Sequence, residues 1–142
     1  MKFTTAVLLT FTLFAELSLY AEDHEISHRI VMEISSDGDE HWNGIFTNVK
    51  NIRRALGSES THIEVVVHGQ ALALLLGKNK EMADILADLS RAVVAFAACE
   101  NTMKKQGFTK DQLPPFAMLV DAGVAEVVRK QEAGWSYVRL DH

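Results

Sequence analysis

The sequence is poor in cysteine. It holds one, Cys99, in 142 residues. No disulfide can form within the chain, so the fold is not a small stapled scaffold, and a zinc site built from cysteines is excluded too. Positive charge is also short: 14 Lys and Arg face 19 Asp and Glu, a net charge of −5. General nucleic-acid binders and anionic-membrane binders need a basic surface. The densest basic spots, Arg53-Arg54 and Lys104-Lys105, are too short to supply one. Repeats, low-complexity tracts and Pro-rich linkers are missing. So are a phosphate-binding P-loop, a dinucleotide fingerprint after the first strand and the Gly-x-Ser-x-Gly elbow of hydrolases. Asp37, Asp39 and Asp121 would suit a hard cation but lack the spacing of a calcium loop. The sequence therefore implies no cofactor and no resident metal.

What is present is an ordinary globular composition, 48% hydrophobic and 23% charged, of a length that suits one domain. The first 21 residues differ from the rest. Lys2 gives a positive start, Ala6 to Phe14 form an apolar stretch broken by threonines, and Ala21 precedes the acidic run Glu22-Asp23-His24-Glu25. This is the layout of a secretory signal peptide. The stretch is too short to span a membrane, and Glu16 interrupts it. The expected organisation is a signal peptide over 1–21, a flexible leader over 22–27 and a folded domain over 28–142. The expected location is the periplasm, with no membrane attachment once the signal is removed. Cleavage after Ala21 would leave Glu22-Asp23-His24 at the new N-terminus, a sequence able to wrap Cu(II) or Ni(II) in a square plane. The simpler reading is a polar, disordered leader.

Strand and helix signals alternate along the domain. His28–Ser35, His62–Val67, Ala92–Ala98 and Phe116–Val120 read as nearly continuous apolar strands, and Trp135–Leu140 as an alternating edge strand. Between them, Trp42, Ile45, Phe46, Val49, Ile52 and Leu56 keep helical spacing, with N-cap chemistry expected in Ser36-Asp37-Gly38-Asp39 and a stop at Gly57. Leu72, Leu75 and Leu76 suggest a short helix stopped by Gly77, and Met82, Ile85, Leu86 and Leu89 a further one. A helical turn opens near Glu100 and closes at Gly107. Thr109 to Gln112 fits a capping box, and Val124, Val127, Val128 and Gln131 lie along a last helix capped by Gly134. The pattern predicts an α/β fold, a mainly parallel five-stranded sheet between helices on both faces.

In such sheets chemistry gathers beyond the carboxyl ends of the strands. The segments there are Ser35-Ser36-Asp37, His68-Gly69-Gln70, Cys99-Glu100-Asn101 and Asp121-Ala122-Gly123. Cys99 stands between a buried strand and a helix N-terminus, whose free N–H groups and partial positive charge favour a thiolate. Lys104 and Lys105 follow one turn later. The competing reading is a small buried hydrophobe. His68 closes the second strand and opens on the same edge, within reach of a Cys–His pair, although no third residue to orient it is evident. Asn101 and Thr102 suit capping of the turn after Cys99, or holding a ligand near the thiol. Trp42 and Trp135 read as core or interface aromatics.

Two segments carry a resemblance. Val65-Val66-Val67-His68-Gly69-Gln70-Ala71-Leu72 and Phe96-Ala97-Ala98-Cys99-Glu100-Asn101-Thr102-Met103 resemble the DsrE/DsrF-like sulfur-relay family, as do Trp42–Asn51 and Ala122–Arg129. The resemblance runs over nearly all of residues 28–140, and the cysteine segment is its most specific part. It implies a three-layer α/β/α fold, a homo-oligomer (trimer or hexamer), and a sulfur carrier whose cysteine, here Cys99, holds a persulfide received from a donor protein and passed to an acceptor. His68, Asn101 and Thr102 match neighbouring family positions and, with Gly69, are expected to support it. Relay members work in the cytoplasm, whereas this chain carries an apparent export signal. The alternative function is an oligomeric small-ligand-binding module in which Cys99 only lines the pocket. A third is an interaction protein whose purpose is the assembly itself, with the edge strand from Trp135 pairing or packing between subunits.

Overall fold

A computed structural model describes residues 27–77 and 79–139. The expected signal peptide over 1–21, the Glu22-Asp23-His24 terminus and nearly all of the 22–27 leader lie outside these residues. Five strands form one sheet: β1 (His28–Ile34), β2 (Thr61–Val67), β3 (Val94–Cys99), β4 (Ala117–Val120) and β5 (Ser136–Tyr137), in the order β4-β3-β2-β1-β5. Every pairing is parallel, so the sheet is wholly rather than mainly parallel. The helices are α1 (Asp39–Leu56), α2 (Lys80–Arg91), α3 (Glu100–Gln106) and α4 (Gly123–Glu132), with 3-10 segments at Gly69–Leu76 and Lys110–Gln112.

The two-residue period of the strands decides which helix covers which face. Met32 and Ile34 of β1, Val65 and Val67 of β2, and Phe96 and Ala98 of β3 pack with Trp42, Ile45, Phe46 and Val49 of α1, Leu86 of α2 and Met103 of α3. The alternate residues Val31, Val66 and Ala97 pack with Val127 of α4. The chain steps across β1, β2, β3 and β4 in one direction, and right-handed crossovers then put every intervening helix on one side. Only the return from β4 to β5 crosses the other face, so α4 covers it alone.

Several element ends differ from expectation, each for a local reason. α1 starts from Gly38, which has a positive φ and no side-chain cap; Asp37 Oδ1 accepts the Gly38 N–H instead. β3 begins at Val94 and not at Ala92, because Ala92 and Val93 finish α2, donating their N–H groups to Asp88, Leu89 and Ser90 carbonyls. Val93 takes a φ of 63° there, a left-handed conformation costly for a β-branched residue. β5 is two residues long because only Ser136 and Tyr137 pair with Ile30 and Val31. The capping box is present, with Gln112 Oε1 accepting the Thr109 N–H at 2.9 Å.

The α4 face also holds an ion pair in its interior. Glu64 of β2 is buried, and Lys130 of α4 reaches it at 2.6 Å while lying 4.5 Å over the Trp135 ring. The other carboxylate oxygen, Oε1, is buried and accepts no hydrogen bond from the described residues.

Candidate functional site

Alternation along β3 sends Ala95, Ala97 and Cys99 to the α4 face. The same parity puts Val66 and His68 of the β2 end and Glu33 of β1 on that face. Their carboxyl ends meet the first turn of α4, and the meeting point is Gly123. Its N–H donates to Cys99 Sγ at 3.2 Å. A β-carbon on residue 123 would stand 3.2 Å from His68 Cβ, 3.2 Å from Val66 Cγ1 and 3.4 Å from Cys99 Cβ. Glycine is what lets the end of the helix descend onto the sulfur.

Thr102 closes the site from α3. Its hydroxyl donates to the Cys99 sulfur and accepts the Gly69 N–H at 3.1 Å. Gln106 Nε2 donates to the Gly69 carbonyl at 2.9 Å, so both backbone groups of Gly69 are held by α3. Gly69 itself has a positive φ, and a β-carbon there would press to 3.0 Å from the Ser35 carbonyl oxygen.

Cys99 is 5% exposed. Burial pushes its thiol up. The Thr102 hydroxyl and the N–H groups of Gly123, Thr102 and Asn101 act the other way and outweigh burial, holding the thiol below its ordinary value. The Asn101 N–H is shared with the Asp121 carbonyl at 3.2 Å. The thiolate is thus stabilised at the junction of two helix starts, and the 3.2 Å donor belongs to α4, not to the helix that directly follows the cysteine. Lys104 is exposed and faces Glu100 at 4.0 Å.

His68 is half-buried, and its Nε2 lies 3.3 Å from Glu33 Oε2. Glu33 Oε1 in turn accepts the Tyr137 hydroxyl at 2.6 Å. The third residue that sequence reasoning did not find for His68 is therefore Glu33. Its signal was a carboxylate set between Met32 and Ile34 in the apolar second half of β1. Asn101 and Thr102 do not cap α3: the N-cap is Cys99, with no side-chain cap. Thr102 spends its hydroxyl on the sulfur and on Gly69, and the Asn101 side chain is exposed.

The aspartates weighed as cation ligands are otherwise engaged. Asp121 holds Arg129 at 2.7 and 2.8 Å, which keeps its carboxyl below the usual carboxylate range. Asp39 accepts from Asn79. Among the described residues no group of three His, Cys, Asp or Glu is placed to hold a metal ion, and no helix is long and apolar enough to cross a membrane. Two surface clefts stand out among the described residues. One, of about 230 Å³, runs between Leu74–Gly77, α2 and Gln112–Phe116. The other, of about 660 Å³, lies at the start of α1 around Asp37, Glu40 and His41. Neither is lined by Cys99 or His68.

The sequence profile of the DsrE/DsrF-like family matches residues 38–140. A protein of unknown function from Methanobacterium thermoautotrophicum is 31% identical, with 80% of this chain and 99% of that one aligned at a TM-score of 0.75. The ychN protein of E. coli shares the fold at 13% identity and a TM-score of 0.64, over 79% of this chain and 98% of its own. A conserved protein of unknown function from Bacteroides thetaiotaomicron does so at 12% and 0.63, over 78% and 92%. Among curated proteins none matches.

Proposed function

Because the chain belongs to the DsrE/DsrF-like family, we propose that it is a sulfur carrier in which Cys99 receives a sulfur atom as a persulfide and hands it to a second thiol. The observation that carries this reading is the Gly123 N–H donated to Cys99 Sγ at the start of a ten-residue helix. A buried thiol without such donors would stay protonated and inert. Here the donors hold it towards the thiolate, the form that attacks sulfur.

In the forward step the Cys99 thiolate attacks the outer sulfur of a donor persulfide. A new S–S bond forms on Cys99, the donor's S–S bond breaks, and its electron pair leaves with the donor sulfur as a thiolate, which takes up a proton. Delivery is the same exchange run onto an acceptor thiol. No electron is gained or lost overall, so neither a redox partner nor a metal is required. The chain is then a carrier more than a classical enzyme, and its partners are thiol-bearing proteins.

The same reading places the carrier in the periplasm, from the leader over 1–21, and in a homo-oligomer, trimer or hexamer. Assembly is supported by apolar side chains left on the surface of β4 and α4: Met118 is 45% exposed, Val124 62% and Val128 48%. Val124 and Val128 stand four residues apart, on one side of α4, and exposed apolar patches mark interaction surfaces.

The test is intact mass after incubation with a low-molecular-weight persulfide or with thiosulfate, both of which carry sulfane sulfur, with sulfide as the control that should add nothing without an oxidant. The native protein should gain one or more sulfur atoms, removable by a reducing thiol, and Cys99→Ser should gain none. Absence of any gain in the native protein, or an equal gain in Cys99→Ser, would reject the carrier role.

A further inference from the structure

Four side chains line up across the carboxyl edge of the sheet on the α4 face: Cys99 on β3, His68 after β2, Glu33 on β1 and Tyr137 on β5. The last three form a continuous hydrogen-bonded chain. The Tyr137 hydroxyl donates to Glu33 Oε1 at 2.6 Å, and Glu33 Oε2 faces His68 Nε2 at 3.3 Å. All three are partly buried, where such links are less screened than at an open surface. The chain is anchored at each end. Val31, next to Tyr137 in register, fixes β5 against β1, and the His68 N–H donates to the Ile34 carbonyl at 3.0 Å. At the other end, His68 Cβ and Cys99 Cβ both lie in contact range of the one point that a β-carbon on Gly123 would occupy.

A carboxylate accepts only, so the imidazole nitrogen that faces it must carry the hydrogen. Glu33 thereby assigns the hydrogen to Nε2 and leaves Nδ1 as the basic atom of a neutral ring. Tyr137 spends its proton on the other carboxylate oxygen and holds Glu33 in the orientation that meets His68. The other ionisable groups around His68 are Cys99 on the β3 side and, where α4 begins, Asp121, which is closed on Arg129. Glu33 is thus the carboxylate that faces the ring.

We propose that Glu33 and Tyr137 are positioning residues that fix the tautomer of His68 and make it the proton carrier of the cysteine site. This rests on the sulfur-carrier reading. His68 takes the thiol proton of Cys99 as the thiolate forms, becoming an imidazolium paired with Glu33. It returns that proton to the thiolate that leaves when the donor's S–S bond breaks. The proton count closes within the site, and the ring ends neutral. Thr102 and the N–H groups lower the thiol's proton affinity, and the histidine chain supplies the route.

The experiment combines nitrogen-15 NMR of the imidazole with sulfur loading from a low-molecular-weight persulfide, across pH, in the native chain, Glu33→Gln, Glu33→Asp and Tyr137→Phe. The native neutral ring should carry its hydrogen on Nε2. Glu33→Gln should move the neutral ring towards the tautomer with hydrogen on Nδ1 and slow loading about tenfold, because a general acid–base group out of position loses part of its usual contribution. Its alkylation of Cys99 by iodoacetamide above the thiol midpoint should stay within about twofold, since that reaction needs no proton carrier. Tyr137→Phe should act in the same direction and more weakly, and Glu33→Asp should restore part of the loading rate. A native neutral ring with its hydrogen on Nδ1, or a Glu33→Gln protein with unchanged tautomer and loading, would overturn the proposal. If the native protein accepts no sulfur, the carrier reading and the proton-carrier role built on it both fall; the NMR arm then separately decides whether Glu33 fixes the tautomer.

Discussion

On one face of the sheet Met32, Ile34, Val65, Val67 and Phe96 meet three helices in an apolar cluster, and buried Thr61 at its margin gives its hydroxyl to the Gly57 carbonyl. On the other face, under α4 alone, the same three strands present Val31, Val66 and Ala97 interleaved with Glu33, Glu64, His68 and Cys99. One backbone thus carries two kinds of surface, split by nothing more than residue parity. The first face is stabilised by area removed from water, which tolerates no titratable group. The second is held by specific polar pairs, each of which needs its partner. Stability and chemistry are thereby assigned to opposite sides of the same strands, and substitutions on the two sides should fail in different ways.

The largest expected effect is on the apolar face. Phe96 is fully buried and packs its ring 5.9 Å from that of Phe116. Phe96→Ala should cost about 4 kcal/mol of stability, the usual range for emptying an aromatic site. Its denaturant midpoint should fall accordingly. The pH at which Cys99 becomes alkylated should not move while the variant stays folded, because the donors to sulfur lie on the other face. A shift of that midpoint would mean that the two faces are coupled through β3.

The polar face should respond differently, with a loss that a second substitution repairs. Lys130→Met leaves Glu64 buried with no counter-ion, and breaking such a pair costs about 3 kcal/mol or more. Replacing both, Glu64→Met with Lys130→Met, should recover most of that loss, because a buried ion pair is often no better than well-packed hydrocarbon. Urea denaturation of the two single variants and the double variant completes the cycle. A double variant no better than the singles would show that the pair adds stability beyond its own neutralisation.

How much of this was open to sequence reading follows from the same division. The apolar face was legible: runs such as Val65-Val66-Val67 and the helical spacing of Trp42, Ile45, Phe46 and Val49 report burial directly, and they led to five strands and a parallel sheet. Cys99 and His68 were legible as strand ends. Their partners were not. Gly123 lies 24 residues from Cys99, and Tyr137 lies 104 from Glu33. Such pairings exist only once the sheet order β4-β3-β2-β1-β5 is known. Thr102 was readable as a polar residue in a first helical turn, but whether it caps that turn or serves the sulfur is decided by Gly69, which the fold brings from another strand end.

Thr102 also gives the finest test of the contrast, because it removes one hydroxyl and little volume. Thr102→Val withdraws the donor to Cys99 and the acceptor of the Gly69 N–H, and should cost about 1 kcal/mol, the net worth of an ordinary hydrogen bond. Its distinctive signature is the pH dependence. In the native protein the folded thiol ionises below its ordinary value, while the unfolded thiol ionises at that value. Between the two midpoints the unfolded chain binds more protons, so unfolding free energy rises with pH through that window. The gain is fully present above the unfolded midpoint and is lost as pH falls through the folded one. Thr102→Val raises the folded midpoint, narrows the window and should flatten the rise. Cys99→Ser should abolish this part of it. Denaturant titrations at half-unit pH steps across the thiol range measure the slope directly. A native protein whose stability is level there, or falls as pH rises, would place the Cys99 sulfur with the apolar side of the molecule after all.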